Sequence, residues 1–395
     1  MVRSLSFVMA LVLAACSAAA PKATTPPPST TAASTTATGP TTTTTEPPPS
    51  VRLYLSGMPE PLTVLVAGLY AHAHASDPLD VPPGLEALIA TLEPGKGQLT
   101  VRAAGAVGDL FGTRIAVVTA GEDVILAVAD PIWRIVGAKL TRFGLPASYG
   151  DEPKFLLIVG SDARPGEDPL RSRADSLHIV ALAPSTGSGA IVGIPRDSYV
   201  TTPDGLTDKF THVLSRRGAD TLLATARDLT SLPLDGYILT GFEGFTGLVN
   251  SFGGFVFDVP FAMADTASQA FFHVGEQVFN GAAALAFSRN RHLKGGDFTR
   301  SFDQGLVMLA GLRAVRVLSI RRLPALLELL TEHTSTDLDA EQLLTMAASI
   351  YELDQVPNVV ADGTPDTVNG SSIVRLTDDA YATFEDLADA TLDSP

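Results

Sequence analysis

Cysteine is almost missing from this sequence: Cys16 is the only one in 395 residues. No intramolecular disulfide can form and no Cys-based zinc site can be assembled, which leaves oxygen and nitrogen groups for whatever chemistry the chain performs. Positive charge is scarce as well. The 27 Lys and Arg stand against 43 Asp and Glu, a formal net charge of −16. Phosphate-backbone affinity rests on surplus Lys and Arg, so nucleic acid is not an expected partner. Long hydrophobic runs are lacking too: the apolar stretch from Leu5 to Leu13 falls short of the roughly 20 residues a bilayer span requires, and no other segment reads as transmembrane.

What is present is ample core material. Hydrophobic residues make up 45% of the chain, with a mean hydropathy of +0.23, enough for one large core or two modest ones. The start reads as an export signal: Arg3, the apolar run, then Leu13-Ala14-Ala15-Cys16. This pattern matches a bacterial lipobox, with residues 1–15 as signal peptide and Cys16 as the lipidation site; an ordinary signal or short anchor with a chance cysteine is the alternative. On the favoured reading the protein is extracytoplasmic, lipid-anchored to the outer face of the bacterial cell membrane. Residues 16–50, Thr-, Pro- and Ser-rich with almost no aliphatic content, form a disordered tether. It reaches about 100 Å if extended and about 30–35 Å as a coil.

Residues 51–150 read as an N-terminal accessory region of unknown role. Thr113–Thr119 and Val124–Ala129 flank a turn and predict a hairpin. Asp130-Pro131 predicts a helix start, since Trp133, Val136, Leu140 and Phe143 follow at helical spacing and Gly144 offers a stop. His72 and His74 are expected on one face of a strand, which permits a metal site, although two lone histidines are more often surface or core residues. Pro82-Pro83 marks a break.

Between 151 and 330 apolar strands alternate with amphipathic helices, which predicts an α/β fold, three-layer α/β/α around a central mixed sheet. Phe155–Val159, Ser176–Leu182 and Ala190–Ile194 read as strands. If the second and third form a hairpin, the start of one and the end of the other share a sheet edge. Asp175, Arg173, Arg196 and Asp197 then converge there, with Asp162 and Arg164 arriving from the first strand. Asn280–Phe287 reads as a helix delivering Arg289, Arg291 and His292, and the helix after Asp297 carries Arg300 and Gln304 one turn apart. Such a set can be nothing more than surface salt bridges, each worth ~0–1 kcal/mol. It can also be an anion site, because guanidinium groups hold phosphate oxygens two at a time while carboxylates such as Asp162 and Asp175 hold a hard divalent cation.

The segments Leu156–Arg164, Arg173-Ala174-Asp175-Ser176 and Ile194–Tyr199 resemble successive signatures of the LytR-CpsA-Psr family. Lys209, Phe242–Phe245, Leu248–Gly254, Phe287–His292, Gly296–Arg300 and Gln304 continue the resemblance in order over about 154–315. The resemblance implies a phosphotransferase that moves a glycopolymer from a polyprenyl-pyrophosphate carrier to peptidoglycan or a related cell-wall polymer. It assigns magnesium (or manganese) to Asp162 and Asp175, and a pyrophosphate cradle to Arg173, Arg196, Arg289, Arg291 and Arg300. Asp175 and the first four of these arginines are the expected catalytic residues. Arg164, Lys209, Asp297, Arg300 and Gln304 are expected to bind substrate, and the lipid tail to lie in an apolar tunnel that Leu306–Leu312 and Phe252–Val259 can line. Asp303 departs from the family, which commonly has Arg before the glutamine. Residues 331–395 are expected to pack back on the fold as a C-terminal extension. A lipid-pyrophosphate hydrolase and a glycolipid-binding lipoprotein without turnover are the rival readings.

Overall fold

The computed structural model describes residues 48–290 and 294–392. The signal peptide, Cys16, the tether up to residue 47, Arg291 and His292 lie outside the described residues.

Apolar strands covered on both faces build the N-terminal sheet. Strand β1 (Ser50–Ser56) is followed by helices α1 (Glu60–Ala75) and α2 (Pro83–Ile89). Then come β2 (Gln98–Leu110), β3 (Thr113–Ala120), β4 (Asp123–Ala129), β5 (Trp133–Leu140) and β6 (Leu145–Ser148). The six strands lie in sequence order, with β1 and β2 parallel and the rest antiparallel. Because side chains alternate across a strand, Ala116, Val118, Ile125 and Ala127 face α1 and α2, while Ile115, Val117, Leu126 and Val128 face the rest of the molecule. The expected hairpin is β3–β4, with Thr119 opposite Val124.

Two expectations for this region fail. Trp133–Leu140 is a strand, not a helix: Ile135, Val136, Gly137 and Ala138 are buried in succession, because β5 is covered on both faces. A strand packed on both sides loses its period of two, and its apolar residues can then fall at helical spacing. His72 and His74 sit on helix α1, where residues two apart point to different sides. The His72 ring pairs with Glu86 at 2.7 Å, and His74 approaches the Gly97 carbonyl at 3.2 Å.

The second half starts with β7 (Lys154–Ser161), β8 (Ala174–Ala183) and β9 (Ser188–Gly193), then the small ribbon β10 (Tyr199–Thr201) and β11 (Thr207–Lys209). Helices α3 (Phe210–Arg217) and α4 (Ala219–Thr230) lead to β12 (Gly236–Thr240) and α5 (Phe242–Ser251). A satellite of short strands, β13 (Phe255–Val259), β14 (Met263–Asp265), β15 (Ala270–Phe272) and β16 (Gly275–Phe279), precedes α6 (Gly281–Arg289) and the long α7 (Asp297–Arg316). After α8 (Leu323–His333), β17 (Ser335–Thr336) and α9 (Ala340–Ser349) come β18 (Asn358–Val360), a hairpin of β19 (Gly363–Val368) and β20 (Ser371–Leu376), and α10 (Asp378–Asp386).

The central sheet runs β17-β12-β7-β8-β9-β18 and is mixed. One face, with Phe155, Leu157, Ile179 and Val192, packs on α3, α4 and α10; Phe384 and Leu387 bring the C-terminal stretch back onto it. The other face, with Leu156, Val180, Leu182 and Ile191, shares a core with Leu327 of α8 and Leu343 and Leu344 of α9. That core continues into the N-terminal sheet. The expected α/β/α layers are thus present, and a second sheet with its own helices is stacked on one of them. In the satellite, Phe257 stacks on Phe279 and meets Phe287 edge-on, each at 4.7 Å between ring centres. This packing seats α6, whose first turn is capped by the Asn280 side chain accepting from Ala283 N at 2.9 Å.

Candidate active site

Strand register decides what meets. Ser161 pairs with Ala174 and His178 with Gly193, so the end of β7, the start of β8 and the end of β9 share one edge of the sheet. The N-terminus of α7 closes on that edge. Asp162 and Arg173 form a two-sided clasp: the Arg173 backbone N donates to Asp162 Oδ1 at 2.9 Å, and its Nε and Nη2 donate to Oδ2 at 2.9 and 2.6 Å. Arg196 bridges two carboxylates, its Nη1 donating to Asp175 Oδ1 at 2.6 Å and its Nε to Asp297 Oδ2 at 3.2 Å. Asp297 Oδ1 in turn lies 2.9 Å from Nη2 of the buried Arg300. Burial works against the Arg196 charge, but Asp175 and Asp297 outweigh it and hold its pKa above the ordinary arginine range. The hydrogen bonds that Arg173 donates to Asp162 do the same for Arg173.

Arg289, exposed at the end of α6, lies over the Phe242 ring at 4.7 Å. Gln304 donates from Nε2 to the Ser288 carbonyl at 3.2 Å and so ties α7 to α6. Asp162, Arg164, Arg173, Asp175, Arg289, Arg300 and Gln304 line the mouth of one cavity of about 700 Å³. Lys209 is turned to Asp197 at 3.3 Å instead.

Behind the mouth the cavity is apolar. Ile158 and Val180 of the sheet, Phe245 and Leu248 of α5, and Val307, Met308 and Leu312 of α7 form much of its wall. Leu327 and Leu330 of α8 with Leu343 and Met346 of α9 complete it. These α8 and α9 residues were not foreseen as lining, because an apolar helix stripe looks the same whether it faces a core or a cavity. Asp303 is fully buried and not among the lining residues; neither carboxylate oxygen has a hydrogen-bond partner, and burial pushes its pKa up to about 7.

A family model described as the LytR_cpsA_psr family matches residues 139–388. The chain belongs to the LytR-CpsA-Psr family. A relative from Bacillus mycoides (strain KBAB4), named polyisoprenyl-teichoic acid–peptidoglycan teichoic acid transferase TagU, is 34% identical over 198 residues; the match spans 49% of this chain and 64% of that relative. The similarly named TagV of Bacillus subtilis (strain 168) is 30% identical over 199 residues, 47% of this chain and 50% of the relative. Among solved structures, TagV of B. subtilis is 25% identical with a TM-score of 0.52, covering 61% of this chain and 98% of that one. TagT bound to LIIa-WTA has the same fold at 22% identity and a TM-score of 0.53, covering 62% of this chain and 92% of that one.

The family implies magnesium, and the donor set suits it. Asp162 and Asp175, here paired with Arg173 and Arg196, would offer hard oxygen ligands at the mouth, and Mg²⁺ commonly takes one or two carboxylates and completes its shell with water and phosphate oxygens. Among the described residues no cluster of three or more His, Cys, Asp and Glu side chains could hold a metal unaided.

Proposed function

We propose that this protein is a phosphotransferase that moves a glycopolymer from a polyprenyl-pyrophosphate carrier to peptidoglycan or a related wall polymer. The observation that carries the reading is the continuity of an arginine- and carboxylate-lined mouth with an apolar cavity of about 700 Å³. A pyrophosphate with a long hydrocarbon tail needs both halves. The names of the relatives from Bacillus mycoides and Bacillus subtilis, polyisoprenyl-linked teichoic acid transferases acting on peptidoglycan, support the same class of substrates.

On this reading Arg173, Arg289 and Arg300 take the pyrophosphate oxygens. Arg196 holds Asp175 and Asp297 in place, and Arg291 belongs to the same segment as Arg289. Arg173 is half exposed and can move from Asp162 to the substrate. A sugar hydroxyl of the wall polymer attacks the glycan-linked phosphorus; the new P–O bond forms as the bond to the bridging oxygen breaks, and polyprenyl monophosphate leaves. The arginines offset the charge that develops on the phosphoryl oxygens. Mg²⁺ or Mn²⁺, held by Asp162 and Asp175, would supply further neutralisation of that charge. Lipidation of Cys16 would keep the enzyme extracytoplasmic and beside its lipid-linked donor.

Incubating the purified protein with a short polyprenyl-pyrophosphate sugar and Mg²⁺, with and without wall glycan, tests the proposal. Transfer to glycan is the expected result. Release of free glycan phosphate at the same rate without acceptor would make it a hydrolase, and binding without turnover would make it a carrier.

A further inference from the structure

The end of the molecule opposite the mouth has an unusual surface for so acidic a protein. From Gln304 to Leu327 there is no Asp or Glu, while Arg313, Arg316, Arg321 and Arg322 fall within ten residues. All four are exposed, at the C-terminus of α7 and in the short turn Ile320–Arg322 that leads into α8. Between them Val317 is 84% exposed.

The N-terminal sheet adds to this surface. The turn Ile320–Arg322 touches β2 and β3, and Ile320 packs on the core that contains Leu110 and Ile115. A Cβ on Gly108 would stand 2.9 Å from Pro324 Cβ, so the end of β2 lies against the start of α8. Just beyond it, the β2–β3 turn closed by Leu110 and Thr113 carries Phe111, 64% exposed and at φ +55°. The β4–β5 turn, closed by Ala129 and Trp133 on the same edge of the sheet, carries Ile132, 77% exposed. Three large apolar side chains from three elements thus stand at one end of the molecule with four arginines. Of the carboxylates near this end, Asp109 accepts from Gly112 N and Glu328 from Asp109 N, while Asp354 lines a groove with Arg313 and Arg316 and the exposed Asp130 sits in the Ile132 turn.

We propose that this end, Arg313–Arg322 together with Phe111 and Ile132, docks on the anionic surface of a lipid bilayer. Arginines attract acidic headgroups while isolated apolar tips sink to the acyl boundary, and neither feature explains the other on a solvent-facing surface. A free acidic polymer would reward the charge but leave Phe111 and Val317 without a role. The docking has a geometric consequence, which rests on the cavity being the lipid channel. Its lining reaches Leu312, Val315 and Leu323 at this end, and α7, with 20 residues, is about 30 Å long. The apolar end of the cavity then lies nearest the bilayer, and the pyrophosphate mouth stands about 30 Å away from it, toward the wall.

The test uses the chain from Ser17 onward, so that neither the signal peptide nor an acyl anchor contributes, and vesicles of phosphatidylcholine with or without phosphatidylglycerol. Sedimentation should show binding to the anionic vesicles that weakens as salt rises. Arg313→Gln, Arg316→Gln, Arg321→Gln and Arg322→Gln together should weaken it at least tenfold, since each arginine at such a surface is worth about fivefold. Phe111→Ser with Val317→Ser should weaken it several-fold. Equal binding to both vesicle types, or a four-Gln protein that binds like its parent, overturns the proposal. If the Ser variants bind like the parent and a soluble acidic wall glycan competes, the surface serves a polymer and not a membrane. Binding is read without turnover, so failure of the phosphotransfer assay leaves this result standing.

Discussion

Arg196 and Asp297 meet at 3.2 Å and join the end of the third central strand to the first turn of α7, across 101 positions of sequence. With Asp175 on the other side of the guanidinium, this contact fixes the position of two carboxylates at the edge of the mouth. Arg196→Ala should lower kcat at least tenfold, about 1.4 kcal/mol of transition-state stabilisation, while the melting temperature shows a folded domain. Turnover near the parental rate in the folded variant would remove Arg196 from the site.

Activity should require Mg²⁺ or Mn²⁺ and vanish in EDTA. Asp175→Asn should abolish both activity and metal binding measured by calorimetry, because an amide is a poorer ligand for a hard cation than a carboxylate. Retained metal binding in an inactive Asp175→Asn protein would point instead to a role in proton transfer.

Asp303 gives a signature in stability rather than catalysis. Its pKa is raised from 3.8 to about 7 by burial, so the folded state keeps a proton that the unfolded chain has already lost. Between about pH 4 and pH 7 the unfolded state binds fewer protons, and stability falls as pH rises through this window, by about 1.4 kcal/mol per pH unit at most. Below the window the contribution is fully present. Denaturant titrations should show the slope, and Asp303→Asn should flatten it; a parallel slope in the variant would place its origin elsewhere.

The N-terminal sheet reaches the cavity through α8. A side chain on Gly108 would meet Glu328 Oε1 at 2.7 Å and Pro324 Cβ at 2.9 Å, both on α8, whose Leu323, Leu326, Leu327 and Leu330 line the cavity. Gly108→Val should therefore push that wall inward, at a cost of about 1–3 kcal/mol in stability. KM for a long-tailed donor should rise several-fold while KM for a short-tailed one stays near the parental value. An equal rise for both would mean that the sheet does not shape the cavity.

Much of the polar edge was readable because it depends on local order. A short turn after Ala183 forces the β8–β9 hairpin, and a hairpin forces Asp175 and Arg196 together. The helix expected at Trp133 failed because burial on both faces erased the strand's alternation. The stacking of the N-terminal sheet onto α8 and α9 was illegible for a related reason: it joins residues such as Tyr149 and Glu352, whose side chains hydrogen-bond at 3.0 Å across 203 positions, and no local pattern encodes such a pairing. The apolar tunnel was expected from the family resemblance, and residues of both expected stretches, Phe252 and Phe255 with Val307 and Leu312, line the cavity; the wall from α8 and α9 escaped, because an apolar stripe looks the same against a core or a cavity.

Helices α8 and α9 are packed between two sheets, and Lys139 pairs with Glu352 at 2.6 Å and Arg134 with Glu341 along the seam. Neither sheet owns that helical layer, so each would be left with an uncovered apolar face if the other melted. Heating should therefore produce a single calorimetric transition for the folded chain. Removing β1–β6 from this chain would bare the apolar side of α8 and α9 that now meets Ile115, Val117 and Leu126, and leave a sticky fragment.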